Sequence, residues 1–180
     1  MYSNGCKPCS LRKAATRKVV MRFLREELIY DIRNCAYIEG EVVGEDAQHA
    51  QHTLVAIGEE GNIDRVTRML GVIHAAAVEM LHPFTKAEPL EEETTCDRLW
   101  EPEEYVIESQ IPQTFSRTTL HLLHKLIHEY MVCRVLHEWL STTNPDAAPK
   151  WLAKSEEAKE KINSIKHNRT GVQTRPSHPF

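Results

Sequence analysis

The stretch Thr118–Leu140, TTLHLLHKLIHEYMVCRVLHEWL, contains neither Gly nor Pro and carries apolar residues on more than one helical face. A helix that is apolar around most of its circumference must be surrounded, by other helices of its own chain or by neighbouring subunits. Upstream, the apolar run LGVIHAAAVEML is broken by His74 and Glu79 and is far too short to span a bilayer. Ser116 or Thr118 supplies an N-cap, and Asn144–Pro145 ends the helix.

Three other segments supply company for it. MRFLREELIYDIRNCAYIEG from Met21 reads as an amphipathic helix through Leu24, Leu28, Ile32 and Cys35, with Gly40 as a stop. Asn62 is a second N-cap candidate, followed by Ile63, Val66, Leu70 and Ile73 and by Ala75–Ala77 until Pro83. From Pro149, WLAKSEEAKEKINSIK shows a narrower stripe through Trp151, Leu152, Ala158, Ile162 and Ile165. EYVIESQIP alternates Tyr105, Ile107, Ser109 and Ile111 with polar partners, which predicts one short strand. A lone strand needs a partner, expected near Val42–Val43 or on a neighbouring subunit. Between 41 and 60, Ala47, Leu54 and Ile57 fit either a short helix or an ordered loop.

The expected fold is therefore mainly α, a small bundle of about four helices with one or two short strands and flexible termini. Residues 1–20 read as a basic, disordered extension, 21–166 as one helical domain with an acidic loop at 86–108, and 167–180 as a flexible tail. Met21 is a candidate start of the folded unit.

Charge restricts the partners. The 22 basic and 26 acidic residues are unevenly spread. Residues 1–20 hold five basic residues and no acid, and residues 166–180 hold three and none, so the body between them has fourteen basic against 26 acidic residues. Such a body repels a duplex, leaving the basic ends as the place for any non-specific DNA contact. No signal sequence or membrane span is visible, and the expected compartment is cytoplasmic. Five scattered cysteines are no disulfide framework, and Cys6-Lys7-Pro8-Cys9 lacks the second pair or the βαβ setting that would give it chemistry. Cys35 and Cys133 read as small buried hydrophobes.

Candidate chemistry is sparse. His121, His124 and His128 share one helical stripe and are candidate metal ligands, but HKLIH has Lys where the zinc-protease motif has Glu. His74 and His82 read as core or interface histidines. No nucleophile elbow, phosphate loop, dinucleotide fingerprint or calcium loop occurs, so no catalytic residue and no cofactor is expected. Trp100, Trp139 and Trp151 are isolated packing anchors rather than a base-stacking platform.

The element order, the Ile111-Pro112 junction into the long helix, and the run His128-Glu129-Tyr130, His137-Glu138-Trp139, Pro149-Lys150-Trp151 together resemble small prophage structural proteins. These are similar to tailed-phage head–tail adaptor (neck) proteins, and the resemblance covers residues 21–166. It implies a non-enzymatic virion subunit that assembles into a homo-oligomeric ring against a portal or neighbouring neck proteins. On that reading Leu122, Leu126, Tyr130, Leu136, Trp139, Tyr105 and Ile107 form the subunit interface. Two alternatives stand beside it: a small helical adaptor or regulator that recruits a partner through its acidic loop, and a metal-dependent enzyme built on the three histidines.

Overall fold

Four helices and a two-stranded antiparallel sheet, arranged around the long helix, make up the described part of the chain. The computed structural model describes residues 15–42, 56–86, 101–113 and 115–168. The polar opening with Cys6 and Cys9, the acidic core of the 86–108 loop with Cys96 and Trp100, and the tail from 169 lie outside the described residues. In chain order the elements are β1 (Thr16–Leu24), α1 (Arg25–Val42), a 3-10 turn (Ala56–Gly58), α2 (Glu60–Met80), β2 (Glu104–Pro112), α3 (Arg117–Thr143) and α4 (Ala148–Asn168).

The expected strand is present as β2, and it finds a partner other than the one expected near Val42, where the chain is still helical. It pairs with β1 in a register that sets Met21 opposite Ile107 and Phe23 opposite Tyr105. This corrects two expectations at once, because helix α1 begins at Arg25 rather than Met21, and residues 16–20 belong to the fold rather than to an extension. The reason is periodicity of two: Met21 and Phe23 face the core while Lys18, Val20, Arg22 and Leu24 face outward. Val42 closes α1 instead of starting a strand, and Gly40 does not stop the helix. Outside the sheet, Lys18 pairs with Glu108 at 2.7 Å and Arg22 pairs with Glu104. The Arg17 guanidinium donates to Phe115 O at 2.7 Å, tying β1 to the entry of α3. Two cations assigned to a free basic end are thus already engaged.

Ser116, not Thr118, caps α3, its hydroxyl accepting from Thr119 N at 3.1 Å. The N-cap of α2 is Glu59 rather than Asn62, which lies inside the first turn and donates its side-chain amide to Ala56 O at 2.8 Å. Asn62 thereby fastens the helix to the 3-10 turn, whose Ile57 is buried. At the far end, the Lys166 ammonium donates to Met80 O at 2.8 Å and His82 O at 3.2 Å. A cation on the last carbonyls of α2 satisfies acceptors the helix itself leaves open.

The core is one cluster. Phe23, Leu28, Ile32, Leu70, Ile107, Met131, Leu136 and Ile162 are sealed from solvent, and they come from both strands and all four helices. Helix α4 folds back along α3 after a short Asn144–Ala147 connection, while α1 and α2 cover the other flanks of α3. Lys150 on α4 reaches the buried carboxylate of Glu39 on α1 at 2.5 Å, bridging two helices that both lean on α3. No helix among the described residues is long and apolar enough to cross a membrane.

Candidate functional site

The histidine stripe separates into different tasks. The His124 imidazole stacks on Phe23, with centroids 4.5 Å apart and planes 9° from parallel, and its Nε2–H donates to Arg22 O at 2.9 Å. His128 Nε2 lies 2.8 Å from Asp31 Oδ2, joining α3 to α1. His121 points to solvent. Each of the two inner imidazoles thus joins α3 to a different element. Among the described residues, no group of three or more His, Cys, Asp or Glu side chains could hold a metal ion. His74 also serves packing: its Nε2–H donates to Val106 O at 3.1 Å and its ring lies against Tyr105. Burial pushes this imidazole below its usual range, against the opposing pull of that hydrogen bond.

The two described thiols are also inert by position. Burial is the main cause that pushes the Cys133 thiol up to about 11, and it raises Cys35 as well. Neither has the thiolate character a nucleophile needs at neutral pH. The Tyr105 hydroxyl, pushed up to about 12 by burial, donates to Thr67 O at 3.3 Å.

Six of the seven expected interface residues need correction. Leu126, Tyr130, Leu136, Trp139, Tyr105 and Ile107 are all buried within the single chain, and only Leu122 reaches solvent. The premise that α3 needs sister subunits on its flanks does not hold, because α1, α2 and α4 pack around it and the sheet meets it at His124. The apolar circumference is real; its company is internal.

An open groove of about 560 Å³ lies instead where α2, α3 and α4 meet. Its floor is apolar, formed by Met69, Val72, Ile73, Ala76 and the Tyr130 ring, and Val72 is 73% exposed. Four cations, Arg65, Arg68, Arg134 and Lys159, stand along it against two acids, Glu138 and Glu156. Arg134 pairs with Glu138 at 3.2 Å and Lys159 with Glu156 at 3.0 Å, while Arg65 sits over the Trp139 ring at 5.4 Å. These contacts hold the rim in place. Among the described residues the lining contains no Ser, Cys or His, and so no nucleophile–base pair. It is a surface that can hold an apolar body with acidic flanks.

This groove escaped the sequence reading, and a signal for it was there. Arg65, Arg68 and Val72 recur at helical spacing on the side of α2 turned away from Val66 and Leu70. A branched aliphatic among exposed arginines is a surface residue out of place, although its partners on α3 and α4 are visible only after folding.

No protein-family model matches this chain, and no characterised protein or solved structure matches it either.

Proposed function

We propose that this chain is a non-enzymatic assembly subunit, a protein whose work is to hold another protein through the α2–α3–α4 groove. The observation that carries the reading is the groove itself, an open, apolar-floored channel with four cations and two acids along it and no Ser, Cys or His among the described residues of its wall. Apolar floors with charged rims take amphipathic segments, the floor supplying affinity and the rim orientation. The specific form of this reading is a ring subunit of a tailed-phage head–tail connector. What supports it is the order of helices about one strand pair and the resemblance of residues 21–166. The adaptor reading shares the same groove and differs in the number of copies engaged.

The test is isolation of the chain from cells that express it naturally, followed by native mass spectrometry. Species well above the 20.7 kDa protomer, dispersed by Val72→Glu, are the expected result. A chain that travels only at protomer mass in those cells overturns the proposal. Co-purification with a portal protein selects the connector form.

A further inference from the structure

The groove has a counterpart on the same molecule. Helix α1 turns one side to the core through Leu28, Ile32 and Ala36, and on the other it holds three large side chains in water: Tyr30 at 61%, Tyr37 at 54% and Ile38 at 61% exposed. On a 3.6-residue period these share one face with Glu26, Glu27, Asn34 and Glu41. Three carboxylates thus bracket an aromatic and aliphatic centre. The Tyr37 hydroxyl donates to Glu41 Oε1 at 2.6 Å, which fixes one edge of the patch. The cation of this face, Arg33, lines an open pocket with Glu26, Glu27 and Tyr30 and also lies so close to Gly58 that an added Cβ there would clash with its side chain.

The two surfaces match in length and sign. Arg65 to Ala76 on the groove wall is three helical turns, about 16 Å at the helical rise. Tyr30 to Ile38 covers about 12 Å, short enough to lie within it with the glutamates reaching the rim. An acidic-flanked apolar ridge faces a basic-flanked apolar channel, and the two share no residue.

Resting on the groove reading above, we propose that the groove's occupant is the exposed face of α1 from a second copy of this chain. Tyr37 and Ile38 of one copy lie over Val72, Met69 and Ala76 of the next, and Glu26, Glu27 and Glu41 face Arg65, Arg68 and Arg134. Because ridge and groove are different surfaces, the contact is head-to-tail, and every copy added leaves one of each open. Such a contact closes into a ring, a reciprocal pair being the smallest, or continues as an open filament.

That geometry makes a test in which two defective proteins repair one another. Val72→Glu disables only the groove, and the double variant Tyr37→Ala/Ile38→Ala disables only the ridge. All three positions are exposed, so both proteins keep the wild-type helical spectrum and thermal transition. By sedimentation velocity the full-length wild type forms concentration-dependent oligomers, and each variant alone loses association by about tenfold or more, as for a central contact residue. An equimolar mixture of the two forms a one-to-one pair and goes no further, because it contains one intact ridge and one intact groove per pair. A wild type that stays monomeric, a variant that assembles like wild type, or a mixture that stays monomeric overturns the proposal. If the wild type alone is monomeric while complexes from native cells still depend on Val72, the groove reading survives with a different occupant.

Discussion

Helices α3 and α1 reverse what their compositions imply. Helix α3 is apolar on nearly every side, and between Leu126 and Leu140 its large apolar side chains are all covered by its own chain. Helix α1 is a modest amphipathic segment, yet it carries Tyr30, Tyr37 and Ile38 in water. Hydrophobic density therefore marks the centre of this fold. What stays exposed once the core is full is a few large side chains on a helix whose buried stripe was already sufficient. Scattered exposed apolar residues need no explanation, but three on one helical face with carboxylates around them form a patch.

The comparison breaks first at its buried end. Leu136 is fully covered on α3, and Leu136→Ala removes apolar contact and leaves a cavity in the core cluster. A loss of about 2–5 kcal/mol is expected. Thermal unfolding then falls by about 2–4 °C for each kcal/mol lost, as for chains of this size. A change of less than about 0.5 kcal/mol, typical of surface substitutions, would mean that α3 is not enclosed as described.

A smaller effect comes from the junction of α2 with the sheet. Burial holds the folded His74 imidazole below its usual range, so the unfolded chain binds a proton that the folded chain refuses. Stability is then full above the ordinary imidazole range and declines as pH falls through it, levelling once the folded imidazole also protonates. His74→Gln keeps a donor for Val106 O without the titration, and its stability profile over that range should be flatter than that of wild type. A profile parallel to wild type would show that His74 is as well solvated folded as unfolded. The loss on acidification stays below that of Leu136→Ala, since His74 is only half-buried.

How much of this was legible beforehand follows from which residues carried local signals. The long helix, its end at Asn144, the start of α4 near Pro149 and the β2 alternation are all local patterns, and they appear where the sequence places them. Strand β1 was hidden because Leu24, Leu28 and Ile32 extend a helical spacing backward, while Met21 and Phe23 carry the period of two. Only pairing with β2, more than eighty residues away, decides between the two readings. The groove was illegible for a related reason. Its walls come from three helices, and nothing local to Arg65, Arg134 or Lys159 says that they meet. The histidine stripe was visible and misleading: helical spacing places three imidazoles together, but Phe23, Arg22 and Asp31 divide them among structural tasks.

The smallest expected effect sharpens the contrast most. Tyr37→Ala/Ile38→Ala removes two large side chains from α1, a deletion comparable in atoms to one that would cripple α3. Neither side chain is enclosed, so little apolar area returns to water and no cavity forms. Alanine is the better helix former at both positions, by up to about 0.7 kcal/mol each, and the exposed bond from Tyr37 to Glu41 is worth about that or less. The two terms offset, and chemical denaturation should place the variant within about 0.5 kcal/mol of wild type or slightly above it. The denaturant slope is expected to be unchanged, since the same core is exposed on unfolding. A marked loss of stability in the dilute monomer would mean that Tyr37 and Ile38 already pack within their own chain. The ridge would then be part of the fold, and α1 and α3 would no longer differ in the way their side chains are used.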